Sequence, residues 1–268
     1  MRALLLAAGL GTRLQPLTSY LPKCLVPIHG RPLLDYWLEN LLDHGVEEVL
    51  INTHYLAPMV KKYLNQSSWL PYIKLVHEEI LLGTGGTILQ NCDFFKDETF
   101  LVAHADNLTI FDVSDFTNCH DGRPKGTEIT IMVFETLDPH SCGIVELDSK
   151  GVVQAFHEKV LNPPGNLANG AVYILEPSVL EWMIGLGKKQ VDFSTEVIPH
   201  FLRKLFTYQN TLYHRDIGTM KSWIEANKDF PMMPANAQNE KAWLEFLKTE
   251  DGQLAHTINM LGISQSHN

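Results

Sequence analysis

Two hydrophobic rhythms alternate along the chain. Apolar, β-branched runs bounded by turn residues occupy positions 2–7, 48–52, 73–77, 100–104 and 128–135, the signature of strands. Between them, residues 33–44 carry apolar side chains at 33, 34, 37, 38, 41 and 42, the repeat of an amphipathic helix, and residues 59–64 read as another helix. Strands alternating with helices predict an α/β fold, Rossmann-like, with a mixed, mostly parallel sheet flanked by helices on both faces.

Near Gly143 the rhythm changes. Two apolar runs, 143–147 and 152–157, flank Asp148-Ser149-Lys150-Gly151, a hairpin signal that predicts an inserted antiparallel part. Residues 168–175 read as a strand, 177–184 as a helix with Pro177 in its first turn, and 194–202 as a further helix. A short strand pair is predicted over 206–215 and a helix over 219–228. Residues 230–238, with Pro231 and Pro234, read as a linker to a short helical tail from Glu240 onward. The expected organisation is one domain over 1–229, then linker and tail over 230–268. Trp243, Leu244, Phe246 and Leu247 stand at helical spacing, so the tail is expected to pack on the domain or on another subunit, which leaves a homo-oligomer open.

Composition narrows the function classes. With 268 residues, 45% of them hydrophobic, the chain can bury a large core. No apolar stretch approaches the roughly 20 residues of a membrane-spanning helix. The opening run leads into glycines, unlike a secretory leader, so a cytoplasmic protein without a membrane role is expected. A net charge of -10 argues against a nucleic-acid surface, but it allows small anionic substrates where a few cations gather in one cleft. Cys24, Cys92, Cys119 and Cys142 form no C-x-x-C pair, so reduced thiols are expected rather than a zinc or redox site. The 12 histidines include no H-E-x-x-H spacing and read mostly as surface or packing residues.

The strongest local signal is Leu4-Leu5-Leu6-Ala7-Ala8-Gly9-Leu10-Gly11-Thr12-Arg13-Leu14, a buried strand running into a small-residue loop that ends on an arginine. Alanine and glycine let backbone N–H groups approach phosphates closely, and the guanidinium adds a charged fork. The spacing is neither a Walker loop nor a dinucleotide fingerprint. Alone, it also describes an ordinary tight turn. Asp106 at a strand end alone would equally be a turn or helix cap, and Glu158-Lys159 after a hairpin a solvated pair.

Together with Pro16-Leu17-Thr18, Pro22-Lys23, Pro27 and Gly30-Arg31-Pro32-Leu33, the loop resembles the signature of the sugar-1-phosphate nucleotidyltransferases (NDP-sugar pyrophosphorylases), and further matches extend over about residues 1–227. The resemblance implies that Leu6, Ala7, Ala8, Gly9, Gly11 and Thr12 wrap the triphosphate, that Arg13 meets its β- and γ-phosphates, and that Lys23 reaches the reacting centre. Glu78, Gly83 and Thr84, in Glu78-Glu79-Ile80-Leu81-Leu82-Gly83-Thr84-Gly85-Gly86, are implied to line the base pocket. Asp106 and Asp216 are implied to hold Mg²⁺, although Ala105 stands where the family usually has glycine. On the sugar side, Gly143 and Asn169 are implied to face the sugar, Glu158 to grip its hydroxyls and Lys159 to hold its phosphate; Val160 replaces the usual proline.

The resemblance thus implies an enzyme joining an NTP to a sugar 1-phosphate by in-line attack on the α-phosphorus, with pyrophosphate leaving and no covalent intermediate. Alignment and charge neutralisation supply the catalysis, so no Ser-His-Asp set is expected. The opening looks nearest to mannose-1-phosphate guanylyltransferase-like members, which points to GTP, a mannose 1-phosphate-like hexose, and nucleotide-sugar supply for polysaccharide synthesis. Uridylyl or thymidylyl transfer to glucose 1-phosphate, cytidylyl transfer to another phosphorylated alcohol, and a non-catalytic nucleotide-sugar sensor remain alternatives.

Overall fold

The computed structural model describes residues 1–95 and 97–249. Strand β1 (Arg2–Leu6) runs into a long loop, after which β2 (Pro27–Ile28) and β3 (Arg31–Pro32) pair ahead of α1 (Leu33–Asp43). Then come β4 (Glu48–Thr53), α2 (Ala57–Leu64), β5 (Ile73–His77), α3 (Gly83–Gln90), β6 (Phe100–His104), β7 (Asn107–Ile110), α4 (Val113–Asp121) and β8 (Ile129–Glu135). The second half holds β9 (Gly143–Leu147), β10 (Val153–Glu158), β11 (Leu167–Leu175) and α5 (Pro177–Gly185). A π-helical turn (Phe193–Val197) continues into α6 (Ile198–His200), followed by β12 (Leu205–Gln209), β13 (Tyr213–Asp216), α7 (Met220–Asp229) and α8 (Ala237–Thr249).

Nine strands form one sheet in the order β10-β9-β11-β6-β1-β4-β5, with β8 joined to β11 and β12 to β8. Strands β6, β1, β4 and β5 are parallel, and β11, β9 and β10 extend the sheet by antiparallel pairing. Helices cover both faces, as the alternating pattern predicts. On one face, α1, α2, α4 and α8 contribute Trp37, Tyr63, Phe116, Trp243 and Phe246; on the other, α3, α5 and α6 contribute Ile88, Leu180, Met183 and Ile198. The strands at the centre are buried on both sides, which is why β1 and β4 read as unbroken apolar runs rather than alternating ones.

This topology singles out the end of β1. Leu6, the last residue of β1, lies opposite Asn52 of β4 on one side and His104 of β6 on the other. The chain leaves β1 for β4 on one side and reaches β6 on the other, so the end of β1 is the switch point where parallel sheets open a crevice. A third apolar cluster sits beneath that crevice: Leu14 and Leu17 from the loop, Ile28, Leu108, Ile217, Trp223 and Phe230.

Some local expectations need correction. The strands β12 and β13 exist but do not pair with each other; β12 joins β8 and β13 joins β7. The helix expected over 194–202 is a π-helical turn followed by one turn of α-helix, because Pro199 has no N–H to continue an α ladder. Glycines 83, 85 and 86 lie within the first turns of α3. Helix α4 was not anticipated, since only Val113, Phe116 and His120 of its nine residues are buried; the Asp112 carboxylate caps it by accepting from the N–H groups of Ser114 and Asp115.

The tail helix packs on this same body. Trp243 and Phe246 are essentially buried and meet the Tyr63 ring edge-on at 5.5 and 5.8 Å. The intervening segment is anchored too: Arg31 donates to the Pro234 carbonyl, and the Asn239 carboxamide accepts from the Ser68 N–H and hydroxyl. The tail expected beyond 249 falls outside the described residues. Among the described residues no helix is long and apolar enough to cross a membrane, and all four cysteines are free thiols.

Candidate active site

The loop after β1 is held from below. The Ala7 N–H donates to Asn52 Oδ1 at 2.7 Å, and the Thr18 hydroxyl donates to the Gly11 carbonyl at 2.7 Å. Gly11 has φ +65°, and a Cβ there would stand 2.7 Å from Thr18 Cγ2, so both its backbone and its surroundings demand glycine. Leu14 and Leu17 are buried and fix the far end of the loop. Above this anchorage Gly9, Leu10, Thr12 and Arg13 are exposed. The N–H groups of Gly9, Leu10, Gly11 and Thr12 donate to no protein acceptor among the described residues. Successive amides of this kind, beside the largely exposed Arg13 guanidinium, suit an anionic phosphate chain.

Lys23, Asp106 and Asp216 converge beside that loop. The buried Lys23 donates from Nζ to Asp106 Oδ2 at 2.6 Å and to Asp216 Oδ1 at 3.3 Å, while Arg13 Nη2 lies 3.8 Å from Asp216 Oδ2. Strand pairing explains how residues so far apart in sequence meet: β13 runs antiparallel to β7 with Asp216 opposite Asn107, the residue after Asp106. The Ile217 N–H donates to the Asp106 carbonyl at 3.1 Å and locks the two carboxylate-bearing turns together. Ala105 is fully buried and its N–H donates to the Leu6 carbonyl, so the core absorbs the extra methyl that replaces the family's usual glycine.

Electrostatics favour the ionised form of Asp106. Burial alone would raise the Asp106 carboxyl, but the Lys23 ammonium, which donates to it at 2.6 Å, outweighs burial and holds the group below the usual carboxylate range. Burial depresses His104, and pushes His214 down to about 4, so both imidazoles beside the carboxylates are neutral at pH 7. The cationic side chains at the mouth of the loop are therefore Arg13 and Lys23.

Glu78 is turned inward. Its Oε1 accepts from Asn52 Nδ2 at 2.9 Å and from the Thr87 hydroxyl at 2.6 Å, and its Oε2 accepts from the Leu82 N–H at 3.3 Å. The glycines of α3 have a structural cause that spacing did not reveal. The chain at Lys189–Phe193 crosses this helix so closely that a Cβ on Gly83, Gly85 or Gly86 would stand 2.9, 2.8 or 2.6 Å from Val191 or Lys189 atoms. Gly85 and Gly86 spend their N–H groups on the Val191 carbonyl, and the Thr84 hydroxyl accepts from the Phe193 N–H.

The antiparallel part gathers the remaining candidates. Glu158 pairs with Gly143 across the β9–β10 ladder, and a Cβ on Gly143 would stand 2.7 Å from Glu158 Oε2 and would also strike the Phe156 ring. Lys159 follows with a left-handed backbone, φ +49°, its N–H on the Cys142 carbonyl and its Nζ 3.2 Å from Glu158 Oε1. Asn169 begins an irregular stretch of β11, donating to the Tyr173 hydroxyl and accepting from the Ala171 N–H, both at 2.8 Å. The Gly170 carbonyl accepts from Asn107 Nδ2 at 3.2 Å, which seats the Asn169 turn directly beside the Asp106 turn.

Residues 2–232 match the family described as Nucleotidyl transferase. The chain belongs to that family. Among its relatives, mannose-1-phosphate guanylyltransferase of Mycobacterium tuberculosis is 32% identical over 232 residues, which cover 85% of this chain and 64% of that protein. Glucose-1-phosphate adenylyltransferase of Fervidobacterium nodosum is 26% identical, with 92% of this chain and 66% of that protein covered. The chain thus spans slightly less than two thirds of the length of both. A solved structure, a putative glucose-1-phosphate thymidylyltransferase from Bacillus anthracis in complex with a sucrose, superposes with a TM-score of 0.81 at 18% identity, covering 89% of this chain and 98% of that one. At that identity the likeness concerns the fold, and it supports the mixed α/β architecture.

Within this nucleotidyl transferase fold, sequence reasoning missed several residues at the site. Thr18 was quoted only as part of a motif, yet its hydroxyl shapes the loop. Gly218 was unassigned although a Cβ there would stand 2.7 Å from Asp216 Oδ2 and 3.0 Å from Arg13 Nη2. Its position two residues after a candidate ligand was the available signal. Asn52 and Thr87 offered no such signal, since one ends an apolar strand and the other follows a glycine cluster.

Proposed function

We propose that the chain transfers a nucleotidyl group from an NTP to a hexose 1-phosphate, forming an NDP-sugar and releasing pyrophosphate. The observation that carries this reading is the meeting of Lys23 with Asp106 and Asp216 at the mouth of an amide-rich loop, beside Arg13 and next to the Asn169 turn. Two anionic reactants need cations, aligned carboxylates and an adjacent polyol-binding surface, and here they adjoin. GTP and mannose 1-phosphate are the proposed pair, on the name of the relative that is 32% identical over 85% of the chain.

The donor set fits Mg²⁺. Two carboxylates from different turns reach the same ammonium, their ligand atoms are all oxygens, and among the described residues no cluster of three or more His, Cys, Asp and Glu completes an all-protein cage. Mg²⁺ favours this arrangement because it keeps waters and takes substrate phosphate oxygens alongside one or two carboxylates. Held by Asp106 and Asp216, it would neutralise charge near the α-phosphate.

The chain's own groups do the rest. The loop amides and Arg13 orient the triphosphate and stabilise the departing pyrophosphate; Lys23 faces the reacting phosphate; Lys159 holds the sugar phosphate and Glu158 the sugar hydroxyls. The attacking phosphate is already ionised near neutral pH, so a general base is unnecessary. In-line alignment and charge stabilisation are what the site provides. An enzyme of this kind needs no membrane or nucleic-acid partner and is proposed to work in the cytoplasm.

The test is pyrophosphate release across GTP, UTP, dTTP, CTP and ATP, each with a panel of hexose 1-phosphates and Mg²⁺, with Asp106→Asn as control. One productive pair that is silent in the control is expected. Nucleotide binding without pyrophosphate release from any pair would overturn transfer in favour of a sensor.

A further inference from the structure

One side chain joins the triphosphate loop to the base-pocket segment, and no motif marks it. Asn52, next to the last residue of β4, lies opposite Leu6, with only 2% of its surface exposed. Its Oδ1 accepts the Ala7 N–H at 2.7 Å, the first amide of the loop. Its Nδ2 donates to Glu78 Oε1 at 2.9 Å and to the Thr87 hydroxyl at 3.2 Å. Thr87 in turn donates to the same Glu78 oxygen at 2.6 Å and lies 3.1 Å from the Gly83 carbonyl. The neighbouring Thr53 carbonyl accepts the Glu78 N–H at 2.8 Å, so the backbone beneath the network is fixed as well.

We propose that Asn52 is a positioning residue for nucleotide: through its carboxamide it sets the register between the triphosphate loop after β1 and the base segment Glu78–Thr87. This role rests on the nucleotidyl-transfer reading and on the base-pocket assignment of the Glu78 segment. A nucleotide engages the two segments at once, its base on one and its phosphates on the other, and the energy of doing so depends on their spacing being set in advance. Three elements, the ends of β1, β4 and β5, converge with α3 on this one carboxamide. Both of its heteroatoms are satisfied by groups of those elements, and all members of the network are almost fully buried or backbone. A buried network that is completely satisfied rigidifies what it joins, and deleting its centre leaves the Ala7 amide and the Glu78 carboxylate short of a partner each. Among the described residues, Gly143, Glu158, Lys159 and Asn169 share no hydrogen bond with Asn52.

Two variants of the full chain test this, Asn52→Ala and the milder, shape-conserving Thr87→Val. Affinity for GTP, UTP and ATP with Mg²⁺ and no sugar phosphate is measured by titration calorimetry, the KM of the sugar 1-phosphate is measured at saturating nucleotide, and Tm reports folding. Nucleotide affinity is expected to fall about tenfold in Asn52→Ala and a few-fold in Thr87→Val, with the sugar 1-phosphate KM within about twofold of the parent. A purely structural role would lower Tm and weaken both substrates in parallel, and that result overturns the inference. So does unchanged nucleotide affinity in either folded variant. If Asn52→Ala fails to fold, Thr87→Val alone decides. A parent chain that binds no triphosphate would overturn the transfer reading itself, which separates the two failures.

Discussion

Two lysines show how differently the halves of this site are built. Lys23, on the nucleotide side, is 8% exposed and held by two carboxylates at 2.6 and 3.3 Å. Lys159, on the sugar side, is 64% exposed, sits on a left-handed backbone and meets one carboxylate at 3.2 Å. The loop next to Lys23 is anchored by Asn52, Thr18 and the Leu14–Leu17 cluster, whereas Glu158 and Lys159 chiefly support each other. One half is set in place by burial and a satisfied network. The other presents charged groups toward solvent, where an ion pair is worth little and yields readily to a sugar phosphate. On the proposed transfer reading, nucleotide would meet a preformed surface and the sugar phosphate would complete its own.

The sharpest way to break the comparison is to remove charge from the preformed half. Asp216→Asn should lower Mg²⁺-dependent turnover by about 100-fold or more while leaving Tm almost unchanged, because the carboxylate is half exposed and supports no packing. Steady-state rates with Tm check this; full turnover would remove Asp216 from the metal role. On the open half the effect should fall on binding. Lys159→Ala is expected to raise the sugar 1-phosphate KM about tenfold or more without altering nucleotide affinity, and initial rates at varied sugar phosphate distinguish this from a loss in kcat. Gly143→Ala should imitate it, since the added methyl displaces Glu158.

Smaller effects sharpen the same contrast. Thr18→Val removes the hydroxyl that holds the Gly11 carbonyl and should weaken nucleotide a few-fold, with the sugar phosphate KM unmoved. Beneath the nucleotide half, Asp35 of α1 is fully buried, with the Tyr63 hydroxyl 2.7 Å from both its oxygens. Burial pushes its carboxyl up to about 6, against the opposing pull of Tyr63 and Arg31. A folded pKa above the unfolded value, ~4, means the folded protein binds the extra proton. Its contribution is therefore full below about pH 4 and is lost as pH rises through about 6. Asp35→Asn should flatten that part of the Tm-versus-pH curve, and identical curves for the two proteins would refute the assignment.

The same contrast governs what was legible in the sequence. The parallel half announced itself because β1, β4 and β6 are buried on both faces, the edge strand β5 still carries apolar residues at 73, 75 and 76, and helix α1 keeps an apolar stripe; β5 and β6 match expectation residue for residue. The conjunction of Arg13, Lys23, Asp106 and Asp216 is implied by the family resemblance, although which strands bring them together is not. That needed the β7–β13 pairing, a long-range contact between two four-residue strands whose partners the local pattern misassigned. The crossing chain at Lys189 and Val191 gives the glycines of α3 a steric cause that local spacing does not reveal. Asn52 shows the remaining limit: a polar side chain at the end of a buried strand acquires its role only from three elements that fold around it.

The most direct test of the account follows phosphorus itself. Purified chain, Mg²⁺, the nucleotide and the hexose 1-phosphate are observed together by ³¹P NMR, with Lys23→Met alongside. The account predicts that the sugar phosphomonoester signal disappears in step with new diphosphate-diester resonances and one equivalent of pyrophosphate, and that the variant slows all three by about 100-fold or more. Orthophosphate in place of pyrophosphate, or an unchanged sugar phosphate signal while nucleotide is consumed, would contradict it.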